Sequence, residues 1–240
     1  MPPGGSRGFT GRARDDVGAG VPRYLNSPRT ALYDKGAILF GLRENRAALA
    51  ADGVPVLTEG PLDTIAVSAS CSGRMVGLAP CGTALTASQA RVLGQAARLK
   101  ETGVRMAFDG DAAGLRAAVR AYRLLAPVAS RLSAVVLPPG QDPAGILSRD
   151  GPAALADALE TRSRPLADLV VDVELRRWGR CLGYETGRIS ALHAWRLWWP
   201  GFARMTSRGR SRGWRTASLL TTTSSRRLSP MLLAALLAAI

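Results

Sequence analysis

Short apolar runs alternate with helix-like segments through the middle of the chain, and this rhythm most constrains the fold. Four runs have the length and composition of buried strands: residues 54–58, 75–79, 105–108 and 133–137. The predicted helices lie between and after them, at residues 61–70, 86–99, 112–125 and from 144 onward. Strands that alternate with helices pair in parallel. The sequence therefore predicts an α/β fold, with a parallel sheet of about four strands sandwiched by helices.

The distribution of charge favours a polyanionic partner. The chain has 32 basic and 18 acidic residues and a net charge of +14, which favours nucleic acid over a membrane. Every acidic residue lies at or before Glu185, and nine arginines follow it. Residues 194–240 have two interpretations. They are an Arg- and Trp-rich arm that grips phosphates and stacks bases, or a non-native end such as the frameshifted end of a high-GC gene.

Composition also excludes several classes of protein. The longest apolar run, residues 231–240, is about half the length of a bilayer span. The first ten residues lack the apolar stretch of a secretory signal, so we expect a cytoplasmic protein. Three cysteines without CxxC spacing and one histidine, His193, argue against a disulfide framework, a zinc site or a Ser-His triad. Catalysis would rest on carboxylates, hydroxyls, Lys and Arg.

Acidic residues stand at the ends of the predicted strands. Glu59 follows the first strand and Asp63 lies one helical turn later, Asp109 and Asp111 follow the third strand, and Asp142 follows the fourth. In parallel sheets the active crevice lies at the carboxyl ends of the strands. Carboxylates gathered there would bind Mg²⁺ or Mn²⁺, which orients phosphates in phosphoryl transfer. The alternative is that Asp111 and Asp142 only cap the helices that follow them.

Ordered motifs around these acids resemble the Toprim family. EGPLD at 59–63 is followed by GTALT at 82–86 and FDGDAAG at 108–114. The flanking segments, PRYLNSP at 22–28 and LPPGQDP at 137–143, are similar to those of bacterial DnaG-type primases. The resemblance runs from about residue 8 to residue 147. A weaker one, to Toprim modules fused to conjugative relaxases of high-GC bacteria, continues to about residue 193.

The resemblance implies a DNA primase-like enzyme that makes RNA primers by Mg²⁺-dependent nucleotidyl transfer. Its partners would be single-stranded DNA and ribonucleoside triphosphates, with a helicase or relaxase as a further partner, in replication or conjugative plasmid transfer. Glu59 would be the general acid/base beside the metal. Asp109 and Asp111 would hold Mg²⁺, and Asp63 and Asp142 would complete the acidic pocket.

The resemblance also implies residues that contact nucleotide or template: Arg23, Asn26, Lys35, Gly82 and Thr83. Arg23 and Lys35 would otherwise be solvated charges, and the other three would belong to plain turns.

The resemblance also implies the domain organisation. Residues 1–50 would be a remnant of the primase core N-terminal subdomain and residues 51–150 the Toprim catalytic domain. A helical extension would follow at 151–193, and an irregular tail at 194–240.

Departures from the family pattern keep two other functions open. Pro139 and Ala144 stand where the family usually has Asp, and the zinc-binding module and most of the basic subdomain are expected to be missing. The chain would then be a non-catalytic, nucleic-acid-binding Toprim remnant of a relaxase/primase fusion. Toprim nuclease chemistry is the third possibility, against which the primase-like flanks argue.

Overall fold

The computed structural model describes residues 8–14, 20, 24–82, 84–108 and 112–169. The chain divides into two compact units, Met1–Leu166 and Ala167–Ile240. The first unit carries the elements named below, and the second is described only at residues 167–169. The predicted tail, residues 194–240, lies outside the described residues, and the boundaries of the four predicted domains stay a prediction.

Within the described residues, six strands form one mixed sheet in the order β3-β5-β4-β6-β7-β8. The four inner strands are parallel, as predicted. The two edge strands, β3 and β8, are antiparallel and were not expected. The strands are β3 (Leu39–Phe40), β4 (Val54–Thr58), β5 (Met75–Pro80), β6 (Val104–Ala107), β7 (Leu132–Val135) and β8 (Ser163–Pro165).

Helices connect the parallel strands and cover the sheet, which confirms the predicted fold class. They are α1 (Arg46–Ala50), α2 (Pro61–Cys71), α3 (Ala87–Ala96), α4 (Leu99–Thr102), α5 (Ala112–Leu125) and α6 (Pro143–Thr161). Pro61 and Pro143 each stand in a first helical turn, where the missing N–H costs nothing. Helix α6 bends at Gly151, which has φ of +84°, and Pro152 follows the bend.

The core alternates across the sheet because successive strand residues face opposite sides. One face carries Val56 and Ala107, which pack with Val67 of α2 and with Leu155 and Leu159 of α6. The opposite face includes the fully buried side chains of Leu57, Leu78 and Met106. Each fully buried side chain of this size contributes about 1.5–3 kcal/mol.

Helix α2 lies directly on β5 because residue 77 has no side chain. A Cβ atom added to Gly77 would lie only 2.7 Å from the Cα atom of Thr64 and closer still to its carbonyl oxygen. Thr64 is itself buried and shares a hydrogen bond of 2.8 Å with Thr58 of the central strand. This close packing fixes the first turn of α2 over the end of β4.

The predicted single helix over residues 86–99 is wrong in length. Thr86 is the N-cap of α3, but α3 ends at Ala96 and the short helix α4 begins at Leu99. Ala97 is extended, and both Ala97 and Leu99 are buried. Burial of these two side chains overrides the helix propensity of the segment.

A small antiparallel hairpin precedes the sheet. Strands β1 (Thr10–Arg12) and β2 (Tyr24–Asn26) pair with Thr10 opposite Asn26. In the part of the chain that the structure describes, no helix has the length and apolar character needed to cross a bilayer.

Candidate active site at the carboxyl edge of the sheet

The carboxyl edge, where β4 to β7 end, carries the first predicted catalytic residue. Glu59 follows the last residue of β4, and β4 lies between β5 and β6. Thr58 pairs with Ala107, so Glu59 and Phe108 leave the sheet beside each other. The Glu59 side chain is exposed. A ligand that approaches this edge can therefore reach the carboxylate without displacing core residues.

Four predicted site residues lie outside the described residues: Arg23, Thr83, Asp109 and Asp111. The described residues on either side of Asp109 and Asp111 are Phe108, which directly follows β6, and Ala112, the first residue of α5. The expected metal-binding role of these two acids stays a prediction.

Asp63 lies in the first turn of α2, one turn after Glu59, and its side chain is only 7% exposed. Its Oδ1 accepts a hydrogen bond of 3.2 Å from the backbone N–H of Ala144, in the first turn of α6. Asp63 therefore joins the beginning of α2 to the beginning of α6.

Asp142 is the N-cap of α6. Its Oδ1 accepts a hydrogen bond of 2.6 Å from the backbone N–H of Gly145. Asp142 therefore caps α6, and its predicted place in the acidic pocket stays a prediction. Because Asp63 ties the first turn of α6 to α2, this cap also lies beside the carboxyl edge.

A tyrosine missed by the sequence reasoning packs against the same edge. A Cβ atom added to Gly60 would lie 3.0 Å from the hydroxyl oxygen of Tyr24 and 3.2 Å from Oδ2 of Asp63. Tyr24 and the Asp63 carboxylate thus both lie close to the space that a side chain at residue 60 would occupy, and a larger residue there would have to move one of them. The available signal was the position of Tyr24, two residues before Asn26 and so on the same face of a strand.

Asn26 forms a hydrogen bond at the end of β5, the strand beside β4. Its Nδ2 donates a hydrogen bond of 2.8 Å to the carbonyl oxygen of Cys81, which directly follows β5. Gly82, the next residue, is exposed. With Tyr24 at the end of β4 and Asn26 at the end of β5, strand β2 spans the ends of two parallel strands. Asn26 therefore positions the loop that contains Gly82.

Lys35 is exposed on a turn that is fixed to the start of α3. The side chain of Gln89 donates hydrogen bonds to the carbonyl oxygens of Lys35 and Ile38, at 2.9 and 2.8 Å. Thr86 donates another, of 2.5 Å, to the carbonyl oxygen of Gly36. Gln89 is 1% exposed, so its amide reaches the turn from the interior. The sequence reasoning missed Gln89, although the TxxQ spacing of a capping box was the signal for it.

Comparison with known proteins identifies the domain that this edge belongs to. Residues 56–147 match the family described as Toprim-like. This part of the chain is a Toprim-like domain. The motifs that resembled Toprim in the sequence lie within or beside it, which confirms the resemblance.

The relatives of the Toprim-like domain are bacterial primases. The chain is 38% identical over 164 residues to a DNA primase of Neisseria meningitidis, covering 67% of this chain and 26% of the relative. It is 36% identical over 152 residues to a DNA primase of Deinococcus radiodurans, covering 63% of this chain and 25% of the relative. The chain thus spans about a quarter of the length of these relatives.

Solved primase structures share the fold. The RNA polymerase domain of Mycobacterium tuberculosis primase DnaG superposes with a TM-score of 0.65 at 27% identity, covering 86% of this chain and 66% of that one. A DnaG primase catalytic domain bound to single-stranded DNA gives a TM-score of 0.62 at 30% identity, covering 79% and 57%.

Among the described residues, the thiol at the edge of the Toprim-like domain is that of Cys81, which lies directly after β5. Burial raises the pKa of the Cys81 thiol, and the hydrogen bond donated by the Tyr33 hydroxyl offsets only part of that rise. Burial also raises the pKa of Tyr33, and the nearby Cys81 raises it further. Both groups stay neutral near pH 7, since a thiol ordinarily titrates near 8.5 and a phenol near 10. The carboxylates of the edge remain the candidate reactive groups.

The donor chemistry of the Toprim-like edge fits a hard divalent cation. Mg²⁺ prefers carboxylate oxygens and retains several waters, so one or two protein carboxylates suffice. Glu59 is an exposed carboxylate residue at this edge. Among the described residues, no three Asp, Glu, His or Cys side chains lie close enough together to hold a metal. A site with more protein ligands would need Asp109 and Asp111.

Proposed function

We propose that the protein is a DNA primase-type nucleotidyltransferase that makes RNA primers on single-stranded DNA, in replication or conjugative plasmid transfer. The observation that carries this proposal is the exposed Glu59 at the carboxyl end of the central strand of a Toprim-like domain. The match of about two thirds of the chain to bacterial DNA primases supports it.

Glu59 accepts the proton of a primer 3′-hydroxyl in the proposed reaction. The hydroxyl oxygen attacks the α-phosphorus of a ribonucleoside triphosphate, a P–O bond forms, and pyrophosphate leaves. Mg²⁺ or Mn²⁺, held by Glu59, Asp109 and Asp111, would orient the phosphates and offset their charge. Lys35 faces solvent and would contribute a further positive charge near the triphosphate.

The proposed partners are single-stranded DNA and ribonucleoside triphosphates, in the cytoplasm. A helicase or a relaxase is a proposed further partner. The net charge of +14 supports a nucleic-acid ligand.

Incorporation of labelled ribonucleotides on single-stranded DNA tests this function. We expect Mg²⁺-dependent synthesis by the wild type and a loss of about 10²–10⁴-fold in Glu59→Gln, because the isosteric amide cannot accept the proton. Glu44→Gln, an exposed substitution that leaves the carboxyl edge intact, is the matched control and should retain synthesis. Equal synthesis by the wild type and Glu59→Gln would refute the proposal.

A non-catalytic nucleic-acid-binding Toprim remnant is the second candidate. Two of the edge carboxylates, Asp63 and Asp142, already accept backbone hydrogen bonds, which favours a structural role for both. DNA binding without synthesis in any variant, the wild type included, would establish this candidate. Nicking of plasmid DNA would instead indicate nuclease chemistry.

A further inference from the structure

We propose that Asp63 is a positioning residue that fixes the start of α6 at the carboxyl edge, and that it is not a direct ligand of the metal. The inference deepens the proposed function and rests on it for its catalytic consequence. Its structural part stands on the hydrogen bonds and burial described above.

The burial of Asp63 is the first support. The side chain is 7% exposed, whereas that of Glu59, at the same edge, is exposed. A buried carboxylate is stable only when protein groups or a cation satisfy its oxygens. In Asp63 the backbone N–H of Ala144 satisfies Oδ1 at 3.2 Å. Oδ2 lies within 3.2 Å of the position that a Cβ atom of residue 60 would take, so it faces the backbone at the start of α2.

The start of α6 is capped by two carboxylates that divide its first N–H groups between them. Pro143, the first residue of α6, has no N–H to satisfy. Asp63 accepts from the N–H of Ala144, and Asp142 accepts from the N–H of Gly145. Both negative charges are favourable at the positive end of the helix dipole. Asp142 comes from the helix's own cap, whereas Asp63 comes from a different helix.

This arrangement gives Asp63 a role that Asp142 cannot perform. The core joins α2 and α6 through apolar contacts, whose stabilisation is not directional. The bond from Asp63 to Ala144 is directional and so sets how far α6 extends along α2. It thereby holds Asp142 and the loop at 137–142 beside the carboxyl edge.

The bond needs only the backbone of residue 144. It is therefore unaffected by the presence of Ala144 where related sequences carry Asp. For this bond an acceptor oxygen at residue 63 is required, and an amide oxygen supplies one as a carboxylate does. This requirement separates the proposal from metal ligation, in which the charge is essential.

Two substitutions at Asp63 test the proposal in the full chain. Asp63→Asn keeps an acceptor oxygen and loses the charge, whereas Asp63→Ala loses both. We expect hydrogen exchange in a peptide covering residues 137–150 to match the wild type in Asp63→Asn and to be about tenfold or more faster in Asp63→Ala. Mn²⁺ affinity, measured by titration without nucleotide, should change less than about threefold in Asp63→Asn.

Primer synthesis supplies the catalytic arm. Asp63→Asn should keep most synthesis at an unchanged Mg²⁺ requirement, and Asp63→Ala should lose about tenfold or more. A wild type without synthesis would refute the proposed function. The hydrogen-exchange measurement would still test whether Asp63 fixes the start of α6. If Asp63→Asn does not fold, Asp63→Ser replaces it, since its hydroxyl oxygen also accepts a hydrogen bond. Rapid exchange in both variants, or a Mn²⁺ affinity that falls about tenfold in Asp63→Asn, would overturn the proposal.

Discussion

At the scale of single residues, two glycines determine how closely other groups approach the carboxyl edge. Gly77 lets α2 lie against β5, and Gly60 leaves room for the side chains of Tyr24 and Asp63 beside its backbone. Both glycines act through the space they leave open, since neither has a positive φ. Any larger side chain at these positions would move a neighbour that positions the edge.

Gly77→Ala should destabilise the fold. The added Cβ would meet the backbone of Thr64, which cannot rotate away as a side chain could. We expect a loss of about 3 kcal/mol or more in the free energy of unfolding, measured in urea. Gly94→Ala, in the middle of α3 with nothing within 4 Å of its added Cβ, is the control. It should stabilise the protein by about 0.5–1 kcal/mol, and a similar loss in both variants would contradict the packing argument.

The sequence predicted the position of Glu59 better than the contacts of the residues around it. Glu59 is recognisable because a charged residue directly after an apolar run must lie at a strand end. The predicted contact of Asn26 with nucleotide stays a prediction, and its hydrogen bond to Cys81 was not foreseen. That bond joins residues far apart in the chain, so no local sequence pattern predicts it.

At the scale of elements, the turn at residues 34–38 and helix α3 form one unit. Thr86 and Gln89 make a capping box, in which each side chain bonds the other residue's backbone, at 2.9 and 3.1 Å. Gln89 uses the rest of its amide to hold the turn that carries Lys35. The buried side chain of Gln89 therefore both caps the start of α3 and holds the turn that carries Lys35.

Gln89→Leu should weaken both the fold and nucleotide binding. It leaves the carbonyl oxygens of Lys35 and Ile38 without their donor, at a cost of about 1–3 kcal/mol each where burial excludes water. We expect a lower unfolding midpoint and a raised KM for ribonucleotides with a smaller effect on kcat. Gln95→Leu, exposed on the same helix, should change neither quantity. An unchanged KM in Gln89→Leu would mean that Lys35 does not contact nucleotide.

Strand and helix periods predicted the parallel part of the fold to within a few residues. The runs at 54–58 and 75–79 became β4 and β5 because each is apolar on both faces, as strands covered by helices on both sides must be. The edge strands were missed because they are short. Strand β3 has two residues and β8 has three, too few for a period to be read. The break at Ala97 depends on tertiary burial, which a local pattern does not contain.

At the scale of the whole molecule, the excess of positive charge governs encounters with nucleic acid. The net charge of +14 creates a field that favours phosphates whichever residues contact them. Binding from this source is insensitive to base sequence and weakens as salt screens it.

Affinity for single-stranded DNA should therefore fall by about tenfold or more between about 50 and about 200 mM salt. Fluorescence anisotropy with a labelled oligonucleotide measures it. Glu59→Gln should show the same slope of affinity against salt, since it changes one charge at the edge. An affinity that does not depend on salt would mean that contacts other than phosphate contacts dominate.

The short antiparallel strands at the two sides of the sheet also bear on self-association. Strand β7 bonds to β6 on one side and to β8 on the other, and β8 carries Pro165, which has no N–H to offer a second chain. The Toprim-like match ends at residue 147, well before β8. A fragment cut at that boundary would expose the backbone of β7 as a template for pairing between molecules. The smallest piece of this protein that stays monomeric at high concentration should therefore extend past residue 165.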